Sequence, residues 1–144
     1  MSNTILNKDN ILLNAKPGNK VEAIELTGNI LVEKGYASKE YINKMKEREE
    51  LTSTYMGNFV AIPHGTEDSK KEVHHSGISI VQAPEGVDFD GNEVKVLIGI
   101  AGKNDEHLEI LSQIAVVCSE TDNIEKMVSA TTAEELLELF EEIG

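Results

Sequence analysis

The sequence predicts an α/β sandwich with a mostly parallel sheet, because short apolar runs alternate along the chain with amphipathic helical patterns. Three runs have the composition of buried strands, at residues 59–62, 77–83 and 94–101. Helical spacing of apolar residues precedes the first run and follows the third. With 144 residues and no linker or internal repeat, residues 1–144 are expected to form a single domain.

The formal net charge of −13, from 26 acidic and 13 basic side chains, argues against nucleic acid as a partner. The acidic excess suits a basic protein partner, although it equally suits a protein that only needs to stay soluble. The apolar runs are too short for a membrane span or a secretory signal, so a cytoplasmic protein is expected. The single cysteine, Cys118, excludes an internal disulfide and is expected to pack in the core.

Capping residues predict the first two helices, which follow an apolar amino-terminal arm. Asn19 is followed three positions later by Glu22, a pair that predicts a capped helix with a reciprocal carboxylate over residues 20–34. Ser38 is expected to cap the second helix.

Arg48 lies where the apolar face of the second helix would continue. Tyr41 and Met45 define that face, and Arg48 follows Met45 by three positions, at the carboxyl end of the helix. A guanidinium there either lies along apolar surface with its charged head in water, or serves a binding site. The short sequence separation from His64 keeps the second interpretation open.

His64 directly follows the strand predicted at residues 59–62. Pro63 ends that strand because it lacks an N–H, and Gly65 can adopt backbone angles that other residues avoid. The carboxyl ends of strands are where ligands bind in open α/β sheets. Taken alone, these three residues could equally form a plain turn.

The segments on either side of this strand are mostly polar. Residues 51–57 form a polar connection that could line the same pocket as His64, and residues 66–73 are expected to form a short exposed helix. His74 and His75 point in divergent directions and have no nearby residues with metal-ligand spacing. They are expected at the surface.

A second histidine follows the third predicted strand. The second strand is expected to end at Pro84, and residues 90–92, Asp-Gly-Asn, predict a turn before the third. Asn104 or Asp105 can cap the next helix, and His107 lies in its first turn. His107 therefore also follows the carboxyl end of a strand.

Three helices are expected to close the chain. A short one covers residues 122–128, and Thr132 with Glu135 forms a capping pair for the last, which extends to Ile143. The helix that begins near His107 is expected to bury Leu108, Leu111, Ile114, Ala115 and Cys118.

His64, His107 and Arg48 can meet at one edge of such a sheet. A neutral imidazole nitrogen is a nucleophile near pH 7 and can take up a phosphoryl group. A second histidine and an arginine can supply donors for the phosphate oxygens. A metal-assisted hydrolase built from the two histidines and a carboxylate remains open, although the sequence has no H-E-x-x-H, nucleotide-loop or serine-hydrolase motif.

The string R-E-E-L-T-S-T-Y-M-G-N-F-V-A-I-P-H-G-T, at residues 48–66, resembles the enzyme IIA components of the bacterial sugar phosphotransferase system, in the mannitol and fructose class. A second match is G-K-N-D-E-H-L-E, at residues 102–109. The string T-Y-M-G, at residues 54–57, favours the mannitol-specific members, because fructose and nitrogen-regulatory relatives more often read T-G-I-G there. The resemblance covers essentially the whole chain.

This resemblance implies that His64 accepts a phosphoryl group on Nε2 from the histidine-containing phosphocarrier protein and donates it to a cysteine of mannitol enzyme IIB. His107 and Arg48 would stabilise the phosphoryl group and the transition state. The implied fold is a mixed, mainly parallel sheet flanked by helices, and no metal or organic cofactor is expected. No direct sugar binding is expected either, because the membrane permease selects the sugar. The alternative is a regulatory or fructose-type IIA-like protein whose His64 phosphorylation state controls a partner.

Overall fold

The computed structural model describes residues 5–103 and 106–140. Within them the strands are β1 (Ile11–Leu12), β2 (Tyr55–Gly57), β3 (Val60–Ala61), β4 (Gly77–Phe89) and β5 (Asn92–Ala101). The α-helices are α1 (Lys20–Glu33), α2 (Glu40–Leu51), α3 (Glu106–Cys118), α4 (Thr121–Ser129) and α5 (Ala133–Leu139). Two 3-10 helices cover Lys8–Asn10 and Glu67–Glu72. None of the helices in the described residues is long and apolar enough to cross a membrane.

The strands form one mixed sheet in the order β1-β4-β5-β3-β2. β1 runs parallel to β4 and β3 runs parallel to β5, whereas β4 with β5 and β2 with β3 are antiparallel. The predicted α/β class, with a mixed sheet flanked by helices, is confirmed. Parallel pairing has a smaller share than expected, because the long β4–β5 hairpin supplies the most extensive pairing.

The sheet is buried on both faces because apolar residues fill consecutive positions of its central strands. In β5, Val96, Ile98 and Ile100 face the side covered by α3, α4 and α5. Leu97 and Ala101 face the opposite side, which α1 and α2 cover. All five side chains are fully buried.

The starts of α1 and α2 follow the capping predictions in part. The Asn19 side chain accepts a hydrogen bond from the Glu22 N–H at 2.9 Å, as predicted. The Glu22 carboxylate accepts instead from the Gly18 N–H, at 2.7 Å. The predicted cap at Ser38 is wrong, because its hydroxyl donates to the Glu72 carboxylate and the first turn of α2 has no side-chain cap.

The strand that leads to His64 is shorter than predicted. β3 begins at Val60 because Asn58 and Phe59, with φ of 52° and 69°, form the tight turn from β2. A two-residue type I′ turn requires positive φ at both positions. At the other end, Pro63 has no N–H for the sheet. The prediction of a polar connection over residues 51–57 is wrong at Tyr55–Gly57, because these residues form β2 by antiparallel pairing with β3.

β4 continues beyond the end predicted at Pro84. Its pairing with β5 shifts register between Gln82 and Val87, so the proline lies where the ladder is interrupted and its missing N–H costs nothing. The predicted turn before β5 is confirmed, since Asp90 and Gly91 have φ of 57° and 96°.

The buried face of α3 differs from the prediction. Leu108, with 69% of its surface exposed, and Ala115 both point away from the core. The buried residues recur every four positions, at Ile110, Ile114 and Cys118. The helix is therefore rotated relative to the predicted face, and this rotation turns Leu108 towards the cavity described below.

The last helix begins as predicted. Thr132 and Glu135 form a capping box, in which each side chain bonds to the backbone N–H of the other residue. The predicted caps at Asn104 or Asp105, and the predicted helical residue Ile143, lie outside the described residues.

Candidate active site

A cavity of about 310 Å³ lies beyond the carboxyl end of β3 and beside the first turn of α3. Its walls include His64, His107 and Arg48, so the structure brings the three predicted site residues together. The other lining residues are Tyr41, Gly65, Thr66, Glu67, Ser69, Lys70, Val73, Gly102, Leu108 and Leu111.

Backbone contacts hold both the main chain and the ring of His64. The Ile100 N–H donates to the Pro63 carbonyl at 3.0 Å, and His64 itself pairs with Ile100 as an isolated parallel bridge. The His64 Nδ1 lies 2.8 Å from the Ile62 carbonyl oxygen. Because a carbonyl only accepts, Nδ1 carries the hydrogen and Nε2 carries the lone pair.

The electrostatic environment keeps His64 neutral. Burial lowers the pKa of His64 below its ordinary value, the Ile62 carbonyl raises it, and the nearby Arg48 charge lowers it further. Glu49 raises this pKa by a smaller contribution. At pH 7 the ring is therefore an uncharged nucleophile, with 8% of its residue surface exposed.

Tyr41 fixes the backbone immediately after His64. Its hydroxyl donates to the Ile100 carbonyl at 2.7 Å and accepts from the Gly65 N–H at 2.9 Å. In an uninterrupted parallel ladder, that N–H and that carbonyl would bond directly to each other. The tyrosine hydroxyl therefore connects these two backbone groups at the point where the chain after His64 separates from β5. A Cβ on Gly65 would lie 2.5 Å from both Tyr41 Cε1 and Ser69 Oγ, so the site requires glycine.

His107 lies close to His64, with ring centroids 5.1 Å apart and planes inclined by 53°. A Cβ on Gly102 would lie 2.4 Å from the His107 Cα, so glycine allows α3 to start this close to β5. Burial, followed by the effects of His64, Lys70 and Arg48, lowers the pKa of His107 to about 4. His107 is therefore also neutral at pH 7 and can donate a hydrogen bond from one nitrogen.

Arg48 reaches the cavity from the last turn of α2. Its Nη1 donates to the Thr52 carbonyl at 2.6 Å, and its charge lowers the pKa of both histidines. A guanidinium has five N–H donors, so this one bond leaves donors for an anion. This position favours the binding-site interpretation of Arg48 over the interpretation that it only covers apolar surface.

These groups give the cavity the chemistry of a phosphoryl site. It contains one neutral imidazole with a fixed tautomer, a second neutral imidazole, and the cations Arg48 and Lys70, in a chain whose net charge is −13. Donors of this kind stabilise the equatorial oxygens of a phosphoryl group in transfer.

Sequence reasoning missed three residues of this region. The structure confirms that Tyr41 lies on a buried helical face and that Lys70 lies in a short exposed helix, the 3-10 helix Glu67–Glu72, but the pattern did not predict that either would line the cavity. Glu49, a buried carboxylate next to Arg48, was not singled out. Nothing in its sequence position distinguishes Glu49 from the other charged residues of α2, so only its three-dimensional contacts identify it.

The remaining histidines and the cysteine agree with expectation. His74 and His75 are exposed, and the backbone N–H of each donates a hydrogen bond to the Tyr36 carbonyl. Cys118 is buried, and burial raises the pKa of its thiol to about 12. Among the described residues, no group of three or more His, Cys, Asp or Glu side chains is arranged to hold a metal ion.

Comparison with known proteins identifies relatives over the whole chain. The family model described as "Phosphoenolpyruvate-dependent sugar phosphotransferase system, EIIA 2" matches residues 4–143. A mannitol-specific phosphotransferase enzyme IIA component from Geobacillus stearothermophilus is 65% identical over 145 residues, covering 100% of both chains.

Two solved structures from Escherichia coli have the same fold. The crystal structure of IIA mannitol has a TM-score of 0.88 and 38% identity, over 94% of this chain and 98% of that one. The complex of enzyme IIAMTL with phosphorylated enzyme IIBMTL matches with a TM-score of 0.88 and 36% identity, over 94% and 96%. The predicted resemblance to mannitol-specific IIA components is confirmed.

Proposed function

Because the chain belongs to the EIIA 2 family of the phosphoenolpyruvate-dependent sugar phosphotransferase system, we propose that it carries a phosphoryl group on His64 during mannitol uptake. One observation carries the choice of residue. His64 is neutral, its Nδ1–H is bound to the Ile62 carbonyl, and its ring lines a cavity that also contains cations. Nε2 is then the nitrogen with a lone pair for phosphorus.

The proposed reaction has two transfers. In the first, the Nε2 lone pair attacks the phosphorus of the phosphorylated histidine of the phosphocarrier protein, and the N–P bond of the donor breaks as its electron pair returns to the donor imidazole. In the second, a cysteine thiolate of enzyme IIB attacks phosphorus, and the Nε2–P bond breaks. His64 regains its lone pair, so the protein is unchanged after each cycle.

Arg48 and His107 stabilise the phosphoryl group in this proposal. Arg48 supplies a planar pair of donors that suits two phosphate oxygens, and its charge offsets the negative charge that arrives with the group. His107, which is neutral, donates one N–H. The Lys70 ammonium adds positive charge at the same cavity.

The partners proposed are the histidine-containing phosphocarrier protein as donor and the mannitol IIB/IIC permease as acceptor. The complex of a related E. coli IIA protein with phosphorylated IIB supports the acceptor. A net charge of −13 suits basic docking surfaces on both partners. We place the protein in the cytoplasm, where it meets the cytoplasmic face of the permease and never contacts the sugar.

Labelling tests the site assignment. Incubation with phosphoenolpyruvate, enzyme I and the phosphocarrier protein is expected to add one acid-labile phosphate per chain. His64→Ala should abolish the label, whereas His75→Ala, which removes an exposed histidine outside the cavity, should retain it. Labelling of His64→Ala would show that another residue carries the phosphate.

Rate measurements test the supporting residues. His107→Ala and Arg48→Ala should slow phosphorylation or shorten the lifetime of the phosphorylated protein, because each removes a donor from the transferred group. Wild-type rates and lifetimes in both variants would remove these residues from the site.

A further inference from the structure

Glu49 is a buried carboxylate whose place in α2 calls for an explanation. It is 4% exposed, although ionised side chains are rarely buried without full pairing. Its Oε1 accepts two hydrogen bonds from Thr54, one from the N–H at 2.9 Å and one from the hydroxyl at 2.6 Å. Its Oε2 lies 3.6 Å from Lys20 Nζ and has no hydrogen-bond partner among the described residues.

A continuous series of hydrogen bonds leads from this carboxylate to the His64 ring. The Thr54 carbonyl accepts from the Ile62 N–H at 3.0 Å. The carbonyl of the same Ile62 accepts from His64 Nδ1, 2.8 Å away. The group that selects the His64 tautomer is therefore placed by Thr54, and Thr54 is placed by Glu49.

An ion pair with Lys20 connects the same carboxylate to another part of the fold. Lys20, near Glu49 Oε2, also donates to both carboxylate oxygens of Asp90, each at 2.9 Å. The start of α1 and the β4–β5 turn are thereby linked to the end of α2.

We infer that Glu49 is a positioning residue, which acts through Thr54 and Ile62 to hold the His64 ring in the orientation and tautomer that leave Nε2 for the phosphoryl group. The tautomer follows from the hydrogen bonds described above, whereas the role of Glu49 in phosphoryl transfer rests on the proposed function. Glu49 also contributes negative charge near His64, in opposition to Arg48.

Two substitutions at Glu49 distinguish the effect of its hydrogen bonds to Thr54 from the effect of its charge. Glu49→Ala removes both bonds to Thr54, whereas Glu49→Gln keeps an oxygen that can accept them but loses the charge. Glu50→Gln is the matched control, because Glu50 is the next residue in α2 and is exposed. All proteins are compared with wild type by circular dichroism to establish that they fold.

The first readout is the tautomer of His64, measured from the 15N chemical shifts of Nδ1 and Nε2 at pH 7.5. Wild type, Glu49→Gln and Glu50→Gln should have hydrogen on Nδ1, whereas Glu49→Ala should contain both tautomers. The second readout is the rate of phosphorylation by the phosphocarrier protein. Glu49→Ala should be slower by about tenfold, equivalent to about 1.4 kcal/mol in the barrier, and Glu50→Gln should match wild type.

A folded Glu49→Ala variant with the wild-type tautomer and rate would overturn the inference. If that variant does not fold, Thr54→Val carries the test, because it removes the 2.6 Å bond and keeps the N–H. This variant should raise the population of the minor tautomer. It should also slow phosphoryl transfer about threefold, the effect of one lost hydrogen bond. An unchanged tautomer and rate would overturn the inference there too. If wild type itself takes no phosphate on His64, the proposed function fails, while the tautomer comparison still decides the role of Glu49.

Discussion

Replacing Tyr41 by phenylalanine removes one oxygen from the support of the candidate site. That oxygen donates to the Ile100 carbonyl at 2.7 Å and accepts from the Gly65 N–H at 2.9 Å. Tyr41 is 3% exposed, and burial raises the pKa of its hydroxyl to about 12, so it stays protonated and donates at any ordinary pH.

The expected cost follows from the two backbone groups left without their partner. A buried polar group that loses its hydrogen bond costs about 1–3 kcal/mol. Part of this free energy is recovered if Gly65 moves towards Ile100, so that the Gly65 N–H donates directly to the Ile100 carbonyl as in a regular parallel ladder. We therefore expect Tyr41→Phe to lower the free energy of unfolding by about 2–3 kcal/mol. The shift would also displace His64 and slow its phosphorylation.

Urea unfolding followed by circular dichroism measures this cost, and labelling from the phosphocarrier protein measures the rate. Tyr55→Phe is the matched control, because it removes the same atom from a half-buried tyrosine that does not line the cavity. A loss below about 0.5 kcal/mol for Tyr41→Phe, or equal losses in the two variants, would refute the claim that this hydroxyl supports the site.

Three further predictions concern the same region and the core. The pKa of His107 is about 4 in the folded protein, below its ordinary 6.5, so the free energy of unfolding should fall as the pH drops from about 6.5 towards 4. Because this ring is half-exposed, we expect a loss of about 1–2 kcal/mol. Urea unfolding at pH 7.5 and 4.5 measures this loss, and equal stability at the two pH values would contradict the low pKa. Gly65→Ala should destabilise the fold by about 1–3 kcal/mol, because the added Cβ would lie 2.5 Å from Tyr41 Cε1; a melting temperature equal to that of wild type would refute this. Cys118, with a thiol pKa of about 12, should react with a thiol reagent at pH 8 in urea but not in the native protein.

The main features of the fold could be predicted because they depend on local patterns. Capping by Asn19 and by Thr132 with Glu135, and the turn at Asp90-Gly91, are short-range signals that the structure confirms. The continuation of β4 past Pro84 could not be predicted, because a proline is compatible with a strand only where the partner strand leaves its position unpaired.

The candidate site was predictable at the residues that carry unusual chemistry in an apolar context. His64, His107 and Arg48 were identified in this way, and they line one cavity. Tyr41 and Glu49 were not, because a tyrosine on a buried helical face and a glutamate in a charged helix are ordinary in sequence. Their importance depends on partners that lie distant in the chain or across a turn, such as Ile100 for the Tyr41 hydroxyl.

The role proposed for His64 is tested most directly by locating the phosphoryl group by NMR on the intact phosphorylated protein. Coupling between 31P and the imidazole nitrogens, together with long-range 1H–15N correlations, identifies both the residue and the nitrogen. Since Nδ1 of His64 is bound to the Ile62 carbonyl, we predict one phosphoryl group on Nε2 of His64. A phosphoryl group on Nδ1, or on His107, would contradict it.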